Sequence, residues 1–114
     1  MKVVNIRKAE LQKRGYEDLE DWISRENHIY IGREMSFRVP GATSSKWRNR
    51  FSVKKYGLEE ALRLYEEYVR ENLWDDLHEL RGMTLGCWCK PNDCHGDALV
   101  RLYREKYPRA GSRH

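Results

Sequence analysis

Cys87, Cys89, Cys94 and His95 are the side chains best equipped for chemistry, and they stand together. All three cysteines of the chain fall inside one run of eight residues, with the histidine directly after the last. The run reads Gly86-Cys87-Trp88-Cys89-Lys90-Pro91-Asn92-Asp93-Cys94-His95-Gly96-Asp97. Three chemistries fit it. Cys87, Cys89, Cys94 and His95 supply the three thiolates and one imidazole of a zinc site, although adjacent side chains such as Cys94 and His95 rarely reach one ion together. His28 or His78 is then the distant fourth ligand. Alternatively, Asp93 or Asn92 caps a helix whose first turn holds Cys94 and His95. Unpaired backbone N–H groups and the helix dipole there lower a thiol pKa and attract phosphate. In that reading Cys94 is the nucleophile, His95 the base, Asp97 a supporting carboxylate, and Gly96 lets a ligand approach the backbone. The third reading is structural: cysteine packs as a small hydrophobe, and Cys87 suits a core strand. A redox pair of Cys87 and Cys89 ranks behind these, because residues two apart on a strand make a strained disulfide.

The elements that must position this run can be read from periodicity. Lys2 to Arg7 reads as a strand. Glu10 to Arg25 reads as helical with an interruption at Gly15, and Asp18 stands near the start of its cleaner half. His28 to Arg33 alternates as a second strand and ends at Gly32. Met35 to Tyr56 has no period and is long for a loop, with Trp47 and Phe51 as its anchors. Leu58 to Glu71 carries an apolar stripe of Leu58, Ala61, Leu62, Tyr65, Tyr68 and Val69. Leu73 to Leu80 continues as a second helix after a break near Asn72. Met83 to Cys89 is a central strand by its lack of charge, and Asp93 to Tyr107 is the last helix.

This order predicts an α/β fold: a small, mostly parallel sheet of three to four strands flanked by helices, in a single domain over residues 1–107. Residues 108–114 form a basic tail. Ligand sites in such folds lie at the carboxyl ends of the strands. That rule gathers Arg7, Gly32, Arg33 and the run from Cys87 to His95 on one edge.

Composition narrows the class. A chain of 114 residues makes one domain, and 35% charged residues make a solvated surface. Four Trp and seven Tyr argue for a folded core. No apolar run approaches a membrane span, and the start is not a signal peptide, so a cytoplasmic, reducing setting and no membrane partner are expected. The net charge is +4. Between Arg33 and Tyr56 stand seven Lys and Arg against Glu34 alone, whereas eight acids follow between Gly57 and Leu80. The basic stretch suits a phosphate-bearing partner or is an ordinary solvated loop. Nothing in the pattern specifies an oligomer.

The run Thr84-Leu85-Gly86-Cys87-Trp88-Cys89-Lys90-Pro91, with Cys94-His95-Gly96-Asp97, resembles the signature of domain-of-unknown-function family 4326, small proteins of phages, other viruses and bacteria. Val3-Val4-Asn5, Tyr30-Ile31-Gly32-Arg33, Ser45-Lys46-Trp47 with Asn49 and Phe51, and Tyr56 to Gly82 fit it as well. The resemblance implies that Asn5, Arg7, Tyr30, Gly32, Arg33, Lys46, Trp47, Asn49, Cys87, Cys89, Cys94, His95 and Asp97 cluster. Arg48 and Arg50 stand where the family usually has Gly and Pro, so that either the loop geometry differs or the two arginines add a phosphate contact. The function expected is that of a nucleotide- or nucleic-acid-directed α/β domain and candidate enzyme. Asn5, Arg7, Arg33, Lys46, Trp47 and Asn49 would bind ligand and phosphate, Trp47 by stacking on a base, and Cys94, His95 and Asp97 would be the catalytic group. The alternative is a zinc-stabilised module that binds nucleic acid or protein without catalysis.

Overall fold

The computed structural model describes residues 1–88 and 94–108. Cys89, and with it the capping roles assigned to Asn92 and Asp93, lies outside the described residues, as does the tail beyond Pro108.

Three strands form the sheet: β1 (Lys2–Asn5), β2 (His28–Tyr30) and β3 (Thr84–Cys87). Their order is β1-β3-β2, and both pairings are parallel. Thr84 lies opposite Lys2 on one side and His28 on the other, and Gly86 lies opposite Val4 and Tyr30. The ladder continues one step past each edge strand, where the Ile6 and Ile31 N–H groups donate to the Cys87 and Gly86 carbonyls. The last strand in sequence is therefore the middle one, in keeping with its uncharged composition.

Side chains alternate across the sheet and divide the core in two. Leu85, Cys87 and Ile31 face one layer, with Val3 and Ile29 packed beside them. That layer consists of α4 (Leu58–Asn72), the 3₁₀ segment Trp74–Leu80 and α5 (His95–Lys106). Val4, Ile6 and Tyr30 face a smaller layer made by α1 (Lys8–Lys13) and α2 (Leu19–Ser24), whose Leu11, Leu19 and Trp22 are buried. Helices on both faces of a parallel sheet define a small doubly wound α/β domain. No helix among the described residues is long and apolar enough to cross a membrane.

Several expected boundaries move, for local reasons. The helix expected over Glu10 to Arg25 is two helices. Gly15, at φ +93°, ends α1, while the Gly15 and Tyr16 N–H groups donate to Gln12 and Leu11 carbonyls. Asp18 then caps α2 by accepting from the Asp21 N–H at 2.9 Å. In the long loop a single turn of helix, α3 (Val53–Tyr56), is capped by Ser52. Leu58, expected in the apolar stripe of α4, is exposed, whereas Ala61, Tyr65 and Val69 are fully buried. The segment after Asn72 is 3₁₀ rather than α. The last helix starts at His95, with Cys94 as its N-cap residue.

Gly86 sets how closely the smaller layer approaches the sheet. A Cβ placed there would lie 2.7 Å from both Ile6 Cγ2 and Trp22 Cη2. Gly86→Ala should therefore lower stability by about 1–3 kcal/mol, the range for overpacking a core. A shift of the urea midpoint with an unchanged slope would register it.

Candidate functional site

Because all three strands run the same way, the residues that follow them meet at one edge. Arg7 follows β1, Gly32 and Arg33 follow β2, Trp88 follows β3, and His95 opens α5. All five line one cavity of about 740 Å³. The far wall comes from the loop and α3, through Met35, Asn49, Arg50, Phe51, Ser52, Val53 and Lys54. None of the described residues that line it is acidic.

Short hydrogen bonds hold these walls in place. Asn5 Oδ1 accepts from the Arg7 N–H at 2.8 Å, and Asn49 Oδ1 accepts from the Phe51 N–H at 2.9 Å. Both are Asx turns, in which a short amide side chain mimics a backbone turn and redirects the chain. Asn5 thus positions Arg7, while Asn49 also lines the cavity. Tyr30 Oη donates to the Arg33 carbonyl at 2.6 Å and accepts from Trp88 Nε1 at 3.0 Å. Gly32 is required here, because a Cβ would run into the Tyr30 ring.

Trp47 is buried at 1% exposure, and its carbonyl accepts from Tyr65 Oη at 2.6 Å. It anchors the loop in the core, and its ring is not offered for stacking. Lys46 is also absent from the cavity. It pairs with Glu79 at 2.8 Å and Asp76 at 3.1 Å, and the hydrogen bond with Glu79, followed by that with Asp76, holds its ammonium group above the usual lysine range. Arg48 and Arg50 part company. Arg48 Nη1 donates back to the Ser45 carbonyl, whereas Arg50 lines the cavity with its guanidinium 4.8 Å from the Tyr68 ring centroid.

At the start of α5 the expected catalytic group separates. Cys94 is 2% exposed, and its Sγ lies 3.1 Å from that of the fully buried Cys87. Asp97 accepts from the Cys94 N–H at 3.1 Å, the position of a capping carboxylate at N3. Gly96 admits the Val3 and Ile31 side chains, which a Cβ would meet at 2.8 and 3.0 Å, so it serves helix–sheet packing and not a ligand. His95 alone of this group lines the cavity. Its Nε2 lies 2.7 Å from the Ile31 carbonyl, and its ring stands edge-on to Tyr65 at 5.2 Å. A carbonyl only accepts, so Nε2 carries the proton and Nδ1 keeps the lone pair of the neutral ring. Burial pushes the imidazole pKa down, more than the Ile31 bond and Asp97 raise it. His95 is thus a neutral ring with one basic nitrogen. Among the described residues, no group of three or more His, Cys, Asp and Glu side chains is placed to hold a metal ion.

Ser52 and Trp88 were not among the residues expected to bind ligand. Trp88 fell inside the strand expected over Met83 to Cys89, whereas β3 ends at Cys87. Arg50 and Lys54 belong to the basic stretch read as suited to a phosphate-bearing partner, but which of its cations reach the cavity depends on the path of the loop and the burial of Trp47.

The fold and cavity define a small doubly wound α/β protein with a basic site at the carboxyl edge of its sheet. Residues 16–105 match the family described as Domain of unknown function (DUF4326), and the chain belongs to that family. An uncharacterized protein of Acanthamoeba polyphaga mimivirus is 36% identical over 91 residues, which cover 69% of this chain and 70% of that protein. An uncharacterized 12.4 kDa protein from the nrdA-td intergenic region of Enterobacteria phage T4 is 49% identical over 35 residues, 27% of this chain and 32% of its own length. No solved structure matches the chain.

The buried neutral state of His95 has a pH consequence. Its pKa is lower in the folded chain than in the unfolded one, so the unfolded state binds the proton more readily. The resulting stability is full above about pH 6.5, the ordinary imidazole value, and is lost as pH falls toward the folded value. The loss should reach up to about 1.4 kcal/mol per pH unit in that window. His95→Gln, which keeps a donor for the Ile31 carbonyl, should flatten this part of the profile in denaturant titrations between pH 5 and 7.

Proposed function

We propose that the chain binds a phosphate-bearing ligand, a nucleotide or a nucleic acid, in the cavity at the carboxyl edge of the sheet. One observation carries the reading: Arg7, Arg33, Arg50 and Lys54 line a single concavity whose described lining contains no carboxylate. No ion pair among the described residues neutralises any of the four. Holding like charges around a cavity is unfavourable unless an anion joins them, and guanidinium groups match phosphate oxygens in pairs. His95 lines the same cavity, and with Nε2 donating to the Ile31 carbonyl its Nδ1 is the ring nitrogen left to accept a proton. Cys94 and Asp97 then support the start of α5 from below and do not touch the ligand.

Equilibrium titrations with a nucleoside triphosphate and with a short single-stranded oligonucleotide test the reading. At least one should bind, with affinity falling steeply as salt rises. Arg33→Ala with Arg50→Ala should weaken that binding at least tenfold while leaving the fold intact. Binding indifferent to salt, an unaffected double variant, or no binding of either probe would count against it.

A zinc-stabilised binding module is the second reading, and the convergence of the Cys87 and Cys94 sulfurs favours it. In that case the purified chain should carry about one zinc, and a chelator should lower its melting temperature as much as Cys94→Ser does. A metal-free chain with unchanged melting in chelator would remove it.

A further inference from the structure

We propose that the ligand is a mononucleotide held astride Arg7 and Trp88, its phosphate in the basic cavity and its base in a neighbouring apolar slot. The inference rests on the phosphate reading above and adds the ligand's class. The slot is a second concavity of about 450 Å³. Ile6, Leu11, Leu19, Val39 and Pro40 give it aliphatic walls, and Arg7 and Trp88 line it as they line the basic cavity. One arginine and one indole therefore border two adjoining spaces, one rimmed by cations without a carboxylate and the other walled mainly by aliphatic side chains. A molecule suited to both carries an anion at one end and a flat, weakly polar group at the other. A nucleoside 5′-phosphate has that form, and both volumes lie within the range of small-molecule sites.

Trp88 is fitted for the stacking role that buried Trp47 cannot take. Its indole is half-buried and tied through Nε1 to Tyr30 Oη, and the two rings meet edge to face at 6.2 Å. Because Tyr30 in turn holds the Arg33 carbonyl, the aromatic face is set relative to the phosphate side before a ligand arrives. Such preorganisation reduces the ordering cost of binding. Lys8, Asp18 and Arg38 supply polar lining in the slot for the edge of a base.

The α4–α5 layer offers a polymer little unpaired charge. A nucleic-acid strand is followed by cations spread along a face. Here Lys46, Arg63, Arg70, Arg101 and Lys106, across the α4–α5 layer, each pair with a carboxylate of the chain. Among the described residues, the cations around the cavity and the slot, Arg7, Lys8, Arg33, Arg38, Arg50 and Lys54, do not.

The test is a calorimetric panel on the unmodified chain: the four common nucleoside 5′-monophosphates, the matching nucleosides, ribose 5-phosphate and a short oligonucleotide. At least one monophosphate should bind about tenfold or more tighter than ribose 5-phosphate, the gain expected from one stacked base. Trp88→Ala should erase that difference, and Val39→Trp, which fills the slot without touching the basic cavity, should do the same. Val39→Trp should still bind ribose 5-phosphate. Equal binding of monophosphate and ribose 5-phosphate would overturn the inference and leave the phosphate reading standing. An oligonucleotide that binds where the monophosphates do not would also overturn it, in favour of a polymer. If no phosphate compound binds, both readings fail.

Discussion

Parallel pairing on β3 is the constraint from which the rest follows. A strand flanked on both sides by parallel partners brings every strand's carboxyl end to the same edge, and here that edge carries Arg7, Arg33 and Trp88. The same strand is covered on both faces, so Leu85 and Cys87 point into one core while Gly86 opens space for Ile6 and Trp22 in the other. The bond from His95 to the Ile31 carbonyl then fastens the start of α5 to the end of β2. Sheet, helix start and cavity are in this sense one construction.

The electrostatics divide along the same line. On the α4–α5 side, acids and bases compensate each other through exposed pairs, each worth little by itself. At the carboxyl edge, no ion pair among the described residues offsets the positive charge of Arg7, Arg33, Arg50 and Lys54. The basic and acidic blocks of the sequence are thus only partly complementary. Lys46 crosses over to Asp76 and Glu79, whereas Arg33, Arg50 and Lys54 stay at the cavity.

Much of this was legible beforehand. Three strands, the central place of Thr84 to Cys87, the break near Asn72 and the edge that gathers Arg7, Arg33 and His95 follow from alternation, charge and the rule of strand ends. The failures share a physical cause, which is dependence on distant partners. Lys46 looked like a phosphate ligand because its acids lie 30 and 33 residues away. Trp47 read as an anchor ahead of a stacking ring, and its burial and the packing around Tyr65 decide for the anchor. Cys94 stood next to His95 in sequence, yet a residue at N-cap and one at N1 point differently, and only the histidine lines the cavity.

The strand order also bears on how the chain reaches its folded state. β1 is made first and β2 soon after, yet neither pairs with the other; both wait for β3, and Lys2 finds Thr84 across most of the chain. Until residue 87 has been made, a growing chain holds two strands with no middle and a half-covered apolar surface. Contacts so far apart in sequence slow folding and lengthen the exposure of unpaired edges. Early assembly is therefore limited to local pieces such as α1, α2 and α4, and the cavity comes into being only when the last strand is inserted.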